Sequence, residues 1–444
     1  NTASLGGNAA GSSTSCQPLA NIVIGKSAAP PVPGTSPGQY TITYTLTVAN
    51  LGAAIGTYNL QDLFEFGPGV NVLTAPVVAY SGTSTDSLTT TINPNFTGSV
   101  AETRIVTDEP LAAGLTDVFT VTVGIMVNPF AATPISGDCI LQPGETGTGL
   151  RNTATLDGNA TGSATDCQPI PTFSLGNRIW KDLNNSGTID GADGVAPGVN
   201  GVVVRLLEAN SLAQVATTTT ANGGYYRFDN LVSANYIVEI APTNFAAGGA
   251  LFGCASSGTD AGDPDIDTDD NDDNGAGITP GVTGIRSLPI SLGAAINEPT
   301  NESDLGFGDP VEPNASTNLT VDFGFTPVFS LGNRVWKDLN NSGTIDAADA
   351  GTLAQATDAN GVPVPNQTTA NDGYYRFDNL LAGNYVVRVL ASNFNAGGTL
   401  LGCVSSVPDA GDPDADSGDS DDNGVGILPT GTGIDSLPVM LGPA

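Results

Sequence analysis

Two stretches of the chain carry the same series of oxygen-bearing side chains, D-x-N-x-S-G-x-I-D-x-x-D, from Asp182 to Asp193 and from Asp338 to Asp349. Oxygens fall at relative positions 1, 3, 5, 9 and 12, glycine at 6 and an apolar residue at 8. That is the ligand spacing of a calcium loop, because a hard cation gathers about six to eight oxygens and a tight turn must bring them to one point. The first loop offers side chains of Asp182, Asn184, Ser186, Asp190 and Asp193 with the carbonyl of Thr188. The second offers Asp338, Asn340, Ser342, Asp346 and Asp349 with Thr344. The usual final glutamate is aspartate in both, a shorter arm that binds less tightly or calls for a ligand from elsewhere. The competing reading is a solvated Asn/Asp/Gly turn; agreement at every ligand position, twice, favours the metal.

A second acidic segment is also duplicated. DAGDPDIDTDDNDDNG (260–275) returns as DAGDPDADSGDSDDNG (409–424). So many carboxylates on one loop repel each other unless cations lie between them. The candidates are Asp263, Asp265, Asp267, Asp269, Asp272 and Asp273, then Asp412, Asp414, Asp416, Asp419, Asp421 and Asp422. Asp229 and Asp378, in the repeated YYRFDNL, are expected to help close a site. Several calcium ions are expected, at least one in each copy; a plain acidic loop is the alternative.

Signals for catalysis are poor, and the chain is read as no enzyme. There is no His, so Ser–His and Cys–His chemistry lack their base. Gly34-Thr35-Ser36-Pro37-Gly38 fits G-x-S-x-G only formally, since it lies in a Pro-rich turn and not between a strand and a helix. Lysine is confined to Lys26, Lys181 and Lys337. Extracellular rods sometimes cross-link Lys to Asn or Asp. The equivalent places of Lys181 and Lys337 make them the pair to test, against the plainer expectation of solvated or salt-bridged side chains.

The elements that position these loops are expected to be strands. The chain has 444 residues, 57 Gly and 30 Pro, and no long helical period. In ITYTLTV, Ile42, Tyr44, Leu46 and Val48 alternate with polar residues, and FTVTVGI repeats this with Phe119, Val121, Val123 and Ile125. One face buried and one solvated marks antiparallel sheets. The fold class is all-β: tandem immunoglobulin-like or collagen-adhesin-B-like β-sandwiches in an extended array. With 45 acidic against 12 basic residues, the net charge of −33 argues against nucleic acid and acidic membrane surfaces as partners. No apolar run reaches the ~18–20 residues that span a bilayer, so no membrane insertion is expected in this segment.

NTASLGGNAAGSSTSCQP (1–18) nearly repeats as NTATLDGNATGSATDCQP (152–169). Residues 1–18 are therefore read as the terminal strand of a preceding repeat, followed by a domain at 19–170 and two related domains at 171–327 and 328–444. The last lacks a counterpart of LTVDFGF (319–325), as if the array continues or a neighbouring subunit supplies that strand. Short Pro-containing joins limit swing between domains. Cys139 and Cys167 bracket one strand pair and are expected to form a disulfide worth roughly 3–4 kcal/mol. Partners for Cys16, Cys254 and Cys403 stay open.

At SLGNRIWKDLNNSGTIDGAD, GYYRFDNL, DNDDNG and LTVDFGF the second domain resembles the calcium-binding B-repeats of bacterial serine–aspartate-repeat surface proteins. The third resembles them over its first three motifs. The resemblance implies a small β-sandwich that stiffens on binding calcium at the Asp182 and Asp338 loops, with further ions on the acidic runs. Through IVIGKSAAP, GQYTITYTLTVANLG and RNTATLDG, the 19–170 domain is similar to an immunoglobulin-like repeat of bacterial and archaeal cell-surface proteins, with a structural role implied. The expected function is a calcium-rigidified stalk or filament segment outside a microbial cell, its partners the neighbouring repeats or subunits. An adhesin module that binds a host or surface ligand is the alternative.

Overall fold

In β5 (Gln39–Asn50) and β10 (Thr116–Val127) nearly every second residue is fully buried, as the apolar–polar alternation of their sequences requires. The described residues of this computed structural model are 2–5, 11–14, 17–81, 91–130, 136–257, 283–293, 299, 316–342, 350–351, 355–356, 365–370, 373–406, 431 and 433–442. Within 1–18 there are two strands where one was expected. β1 (Thr2–Leu5) and β2 (Gly11–Thr14) pair as a hairpin with Thr2 opposite Thr14. The sequence repeat brings the same register back where Thr153 lies opposite Thr165.

The remaining strands of this part are β3 (Ile22–Ala28), β4 (Val32–Pro33), β6 (Gly56–Phe64), β7 (Val70–Val72), β8 (Val77–Tyr80), β9 (Arg104–Leu111), β11 (Asn152–Asp157) and β12 (Gly162–Asp166). One sheet runs β3-β5-β10-β7, with β4 on β5 and β8 on β10; the other runs β12-β11-β6-β9. Every pairing is antiparallel. The core between them holds Ile42, Tyr44, Leu46 and Val48 of β5, Phe119, Val121, Val123 and Ile125 of β10, and Leu60, Ile105 and Ala154 from the other sheet. Each large apolar side chain so buried contributes about 1.5–3 kcal/mol. The Ser36 segment is a turn joining β4 to β5, closed by Gly34 and Gln39. It is not a strand-to-helix elbow.

A second sandwich follows. Its strands are β13 (Thr172–Lys181), β14 (Val203–Glu208), β15 (Gln214–Thr219), β16 (Tyr225–Val232), β17 (Ala234–Ile240), β18 (Cys254–Ser256), β19 (Ile285–Arg286), β20 (Ile290–Leu292), β21 (Thr317–Asn318) and β22 (Phe323–Pro327). The sheets run β16-β13-β22-β18, with β21 on β13, and β15-β14-β17-β19, with β20 on β17. Here the alternation rule fails. Every residue from Leu319 to Thr326 is buried, polar ones included. The reason is topological: β22 is an interior strand between β18 and β13, and it runs parallel to β13. Interior parallel strands are covered on both faces. Asp322 is accommodated there by accepting the Arg178 amide at 2.8 Å.

Beyond residue 328 the described residues form short two-stranded ladders, among them Phe329–Leu331 with Phe377–Leu380 and Arg388–Leu390 with Gly433–Asp435. A register shift between Phe329 and Leu331 repeats the one between Phe173 and Leu175. A small core gathers Phe377 and Leu380 against Leu331, Tyr375, Tyr385, Val387 and Leu441.

Candidate metal centre

The loop at 182–193 hangs from the end of β13. Parallel pairing sets Trp180 against Gly324 and Lys181 against Phe325, and the Asp182 amide then donates to the Phe325 carbonyl at 3.0 Å. Trp180 is fully buried at this point, and Gly324 leaves room for its indole, since a Cβ there would lie 2.8 Å from Cζ2. The loop is thus fixed at its root by the core.

Within the loop the chain folds back on its own carboxylates. Asp182 accepts the amides of Ser186 at 3.0 Å and Gly187 at 2.8 Å, one on each oxygen. Asp193 accepts those of Leu183 and Asp190, both at 2.9 Å. Asp190 caps the short helical turn Gly191–Asp193. The Ala192 amide, and after it the Asn184 side chain, hold its carboxyl below the usual carboxylate range. Ser186 Oγ donates to the Thr188 carbonyl at 3.0 Å. Left-handed backbone at Asn185 (φ 58°) and Gly187 (φ 78°) makes the reversal, which explains the glycine at the sixth position.

Asp182 and Asp193 are buried, at 0% and 5% exposure, and every hydrogen bond they accept comes from a neutral amide. A buried carboxylate is costly without a cationic partner, and each still has lone pairs to offer. The donor chemistry therefore suits a hard cation, with Asp182, Asn184, Ser186, Thr188, Asp190 and Asp193 as the residues that would hold it. Among the described residues no group of three or more His, Cys, Asp or Glu side chains is gathered as a metal centre; amide, hydroxyl and carbonyl oxygens would have to complete the shell.

In the second copy Asp338 and Asn340 both accept from the Ser342 amide, at 3.1 and 3.2 Å, and Asn341 has the same φ, 57°. Thr344, Asp346 and Asp349 lie outside the described residues, as do all twelve candidates of the acidic runs.

Asp229 and Asp378 do something other than expected. Asp229 accepts from Ser174 Oγ at 2.7 Å and pairs with Arg227 at 2.5 Å; Asp378 does the same with Ser330 at 2.6 Å and Arg376 at 2.5 Å. A guanidinium, not a calcium loop, takes these carboxylates. Ser174, Arg227 and Asp229 border an open groove of about 740 Å³, and Ser330 and Arg376 border one of about 680 Å³. The repeated arginine two residues before the aspartate was the available signal.

Cys139 and Cys167 are joined as a disulfide with Cα atoms 5.9 Å apart. Cys254 and Cys403 are free thiols, and burial pushes the Cys254 thiol up; Cys16 lies outside the described residues. Lys181 is exposed and Lys337 half-buried. The buried lysine is Lys26, which sequence reasoning passed over because it has no copy in the repeat.

Residues 173–282 and 329–431 match the SdrD B-like domain. The chain is similar to serine-aspartate repeat-containing protein I of Staphylococcus saprophyticus, 32% identical over 232 residues, which covers 51% of this chain and 10% of that protein. It is likewise similar to protein D of Staphylococcus aureus strain Newman, 29% identical over 244 residues, covering 54% and 15%. The chain thus spans only a small part of the length of these relatives. Among solved structures, the group B streptococcus pilus 2b backbone protein aligns with 68% of this chain and 97% of its own, at 14% identity and a TM-score of 0.27. No helix among the described residues is long and apolar enough to cross a membrane. Sequence and relatives agree that residues 173–282 and 329–431 are SdrD B-like domains of an extracellular cell-surface protein.

Proposed function

We propose that the chain is a structural stalk segment of a microbial surface protein, stiffened by calcium in its two SdrD B-like domains. The observation that carries the calcium reading is the loop at 182–193. It sets two buried carboxylates without a basic partner in a ligand spacing that recurs at 338–349. When bound, calcium would supply positive charge and a fixed oxygen shell; the chain's own residues would position that shell. Asp182 and Asp193 hold the two ends of the loop together, Gly187 makes the turn, and β22 ties the root to the core. Support for the stalk reading comes from the joins. Ile170 and Val232 sit in the core of the preceding sandwich, and the Val328 amide donates to the Gly253 carbonyl at 2.8 Å across the next join.

The test is thermal melting and protease resistance of the full chain in calcium and in chelator. A calcium-dependent rise in melting temperature with slower cleavage is expected. Identical behaviour in both solutions would reduce the loops to solvated turns. The groove repeated at Arg227 and Arg376 is the one observation that favours an adhesin. Binding of glycans or matrix proteins that is lost in Arg227→Ala and Arg376→Ala would establish it.

A further inference from the structure

β3 alternates inward and outward residues, and Ile22, Ile24 and Ala28 turn inward, as does Lys26. A lysine on the inward face of a sandwich strand is out of place unless the interior holds something for it. What it holds is Asp62 of β6, in the opposite sheet. Lys26 Nζ lies 2.5 Å from Asp62 Oδ1, and neither side chain has any exposure. The other oxygen, Oδ2, accepts from Nδ2 of Asn152 at 2.9 Å. Asn152 belongs to β11, next to β6. It pairs with Phe64 while Asp62 pairs with Ala154, so the two are diagonal neighbours on one face. Asn152 is fully buried, and its carbonyl oxygen has no hydrogen-bond partner.

One carboxyl group therefore bridges a primary amine and a carboxamide, both shielded from water. The Tyr44 ring lies 5.0 Å from the amine. Asp166 is the other charged group that acts on Lys26, and its own oxygens accept the amides of Ala28 and Cys167. We propose that Lys26 and Asn152 join in an intramolecular amide bond, with Asp62 as the acid–base that forms it.

The chemistry needs nothing beyond these three side chains. Burial lowers the pKa of the lysine and raises that of the aspartate, which moves the shared proton onto Asp62 and leaves a neutral amine. The Nζ lone pair attacks Cγ of Asn152 and a C–N bond forms. Asp62 gives its proton to Nδ2 through one oxygen and takes a proton from Nζ through the other. The Cγ–Nδ2 bond breaks, ammonia leaves, and Asp62 ends protonated as it began. No oxidant or cofactor enters, and the rate comes from holding the groups in place. The product would tie β3 of one sheet to β11 of the other.

The experiment is the intact mass of the reduced, denatured full chain, followed by peptide mapping. The expected result is a chain lighter by one ammonia, with the peptides holding Lys26 and Asn152 linked, and full mass in Asp62→Ala. An unmodified mass in the wild-type chain overturns the proposal whether or not any variant folds. So does loss of water, which would make Asp62 the acceptor, or a link at other residues. Ammonia loss at the same site in Asp62→Ala would remove Asp62 from the mechanism.

Discussion

A carboxylate gains or loses meaning with what surrounds it, and three of the kinds present show it. Asp182 and Asp193 are buried against amides only, and on the proposed reading a cation completes the site. At free calcium about a hundredfold above the dissociation constant, one site stabilises the fold that binds it by about 2.7 kcal/mol. Asp182→Ala and Asp338→Ala should each remove one part of the calcium-dependent rise in melting temperature; calorimetry with and without chelator reads this directly. Glu208 is of a second kind. Hydrogen bonds from Ser211, then from Asn210, hold its carboxyl down at about 2, against an ordinary 4.5. A folded-state pKa below the unfolded one gives stability that is present above about 4.5 and is lost as the pH falls towards 2. Glu208→Gln should therefore be less stable than the wild-type chain near neutrality. The gap should close across that acid window in denaturant titrations at stepped pH, and a gap that stays constant would refute the assignment. Asp62 is the third kind, an acid that burial pushes up towards the neutral form.

At the scale of elements, the first sandwich is held at its turns by single polar side chains. Asn50, wholly buried at the end of β5, donates to the carbonyls of Leu111 at 2.8 Å and Ala54 at 2.9 Å. It also accepts the amides of Asn21 and Gly52. It joins the residue before β3, the end of β9 in the other sheet and the following turn with one amide group, which no apolar residue can do. Asn50→Ala removes four hydrogen bonds and should cost about 2–4 kcal/mol, measured by urea denaturation; a loss under about 0.5 kcal/mol would mean that water replaces it. Asp117 works in the same manner from β10, accepting the hydroxyls of Tyr58 and Tyr80 at 2.7 Å each. The Cys139–Cys167 bridge closes a loop of 28 residues and adds roughly 3–4 kcal/mol on the loop-entropy model. A Lys26–Asn152 bond would close a far longer one and add about 5 kcal/mol on the same model.

For the whole molecule, the question is how one sandwich is coupled to the next. Ser233, buried between β16 and β17, accepts the Gly38 amide of the first sandwich at 2.9 Å and donates to the Leu292 carbonyl of the second at 2.7 Å. Beside it the rings of Phe130 and Tyr236 meet edge to face, their centroids 5.9 Å apart. With Ile170 and Val232 in the first core, the two sandwiches share side chains as well as a short join. Ser233→Ala leaves the Gly38 amide buried without an acceptor, a cost of about 1–3 kcal/mol. The expected outcome is a calorimetric transition that splits into two as the sandwiches uncouple. A single transition with unchanged width would show that apolar packing alone joins them.

The sequence by itself determined the all-β class, because the alternation in Ile42–Val48 and Phe119–Ile125 admits one buried face and nothing helical. It also determined the repeat, the two SdrD B-like segments and the candidate metal loop, since ligand spacing is a local property that a short turn realises without help. Only the tertiary structure decided which groups meet across sheets. The full burial of residues 323–326 depends on β22 lying parallel to β13 in the interior of its sheet, and no local pattern encodes a partner strand some 140 residues away. Asp229 and Asp378 read as residues that help close a site until the fold set Arg227, Arg376 and two serines beside them. Lys26, Asp62 and Asn152 are separated by 36 and 90 residues. None of them names its partners in its own strand, and they meet only because two sheets close over them and keep water out.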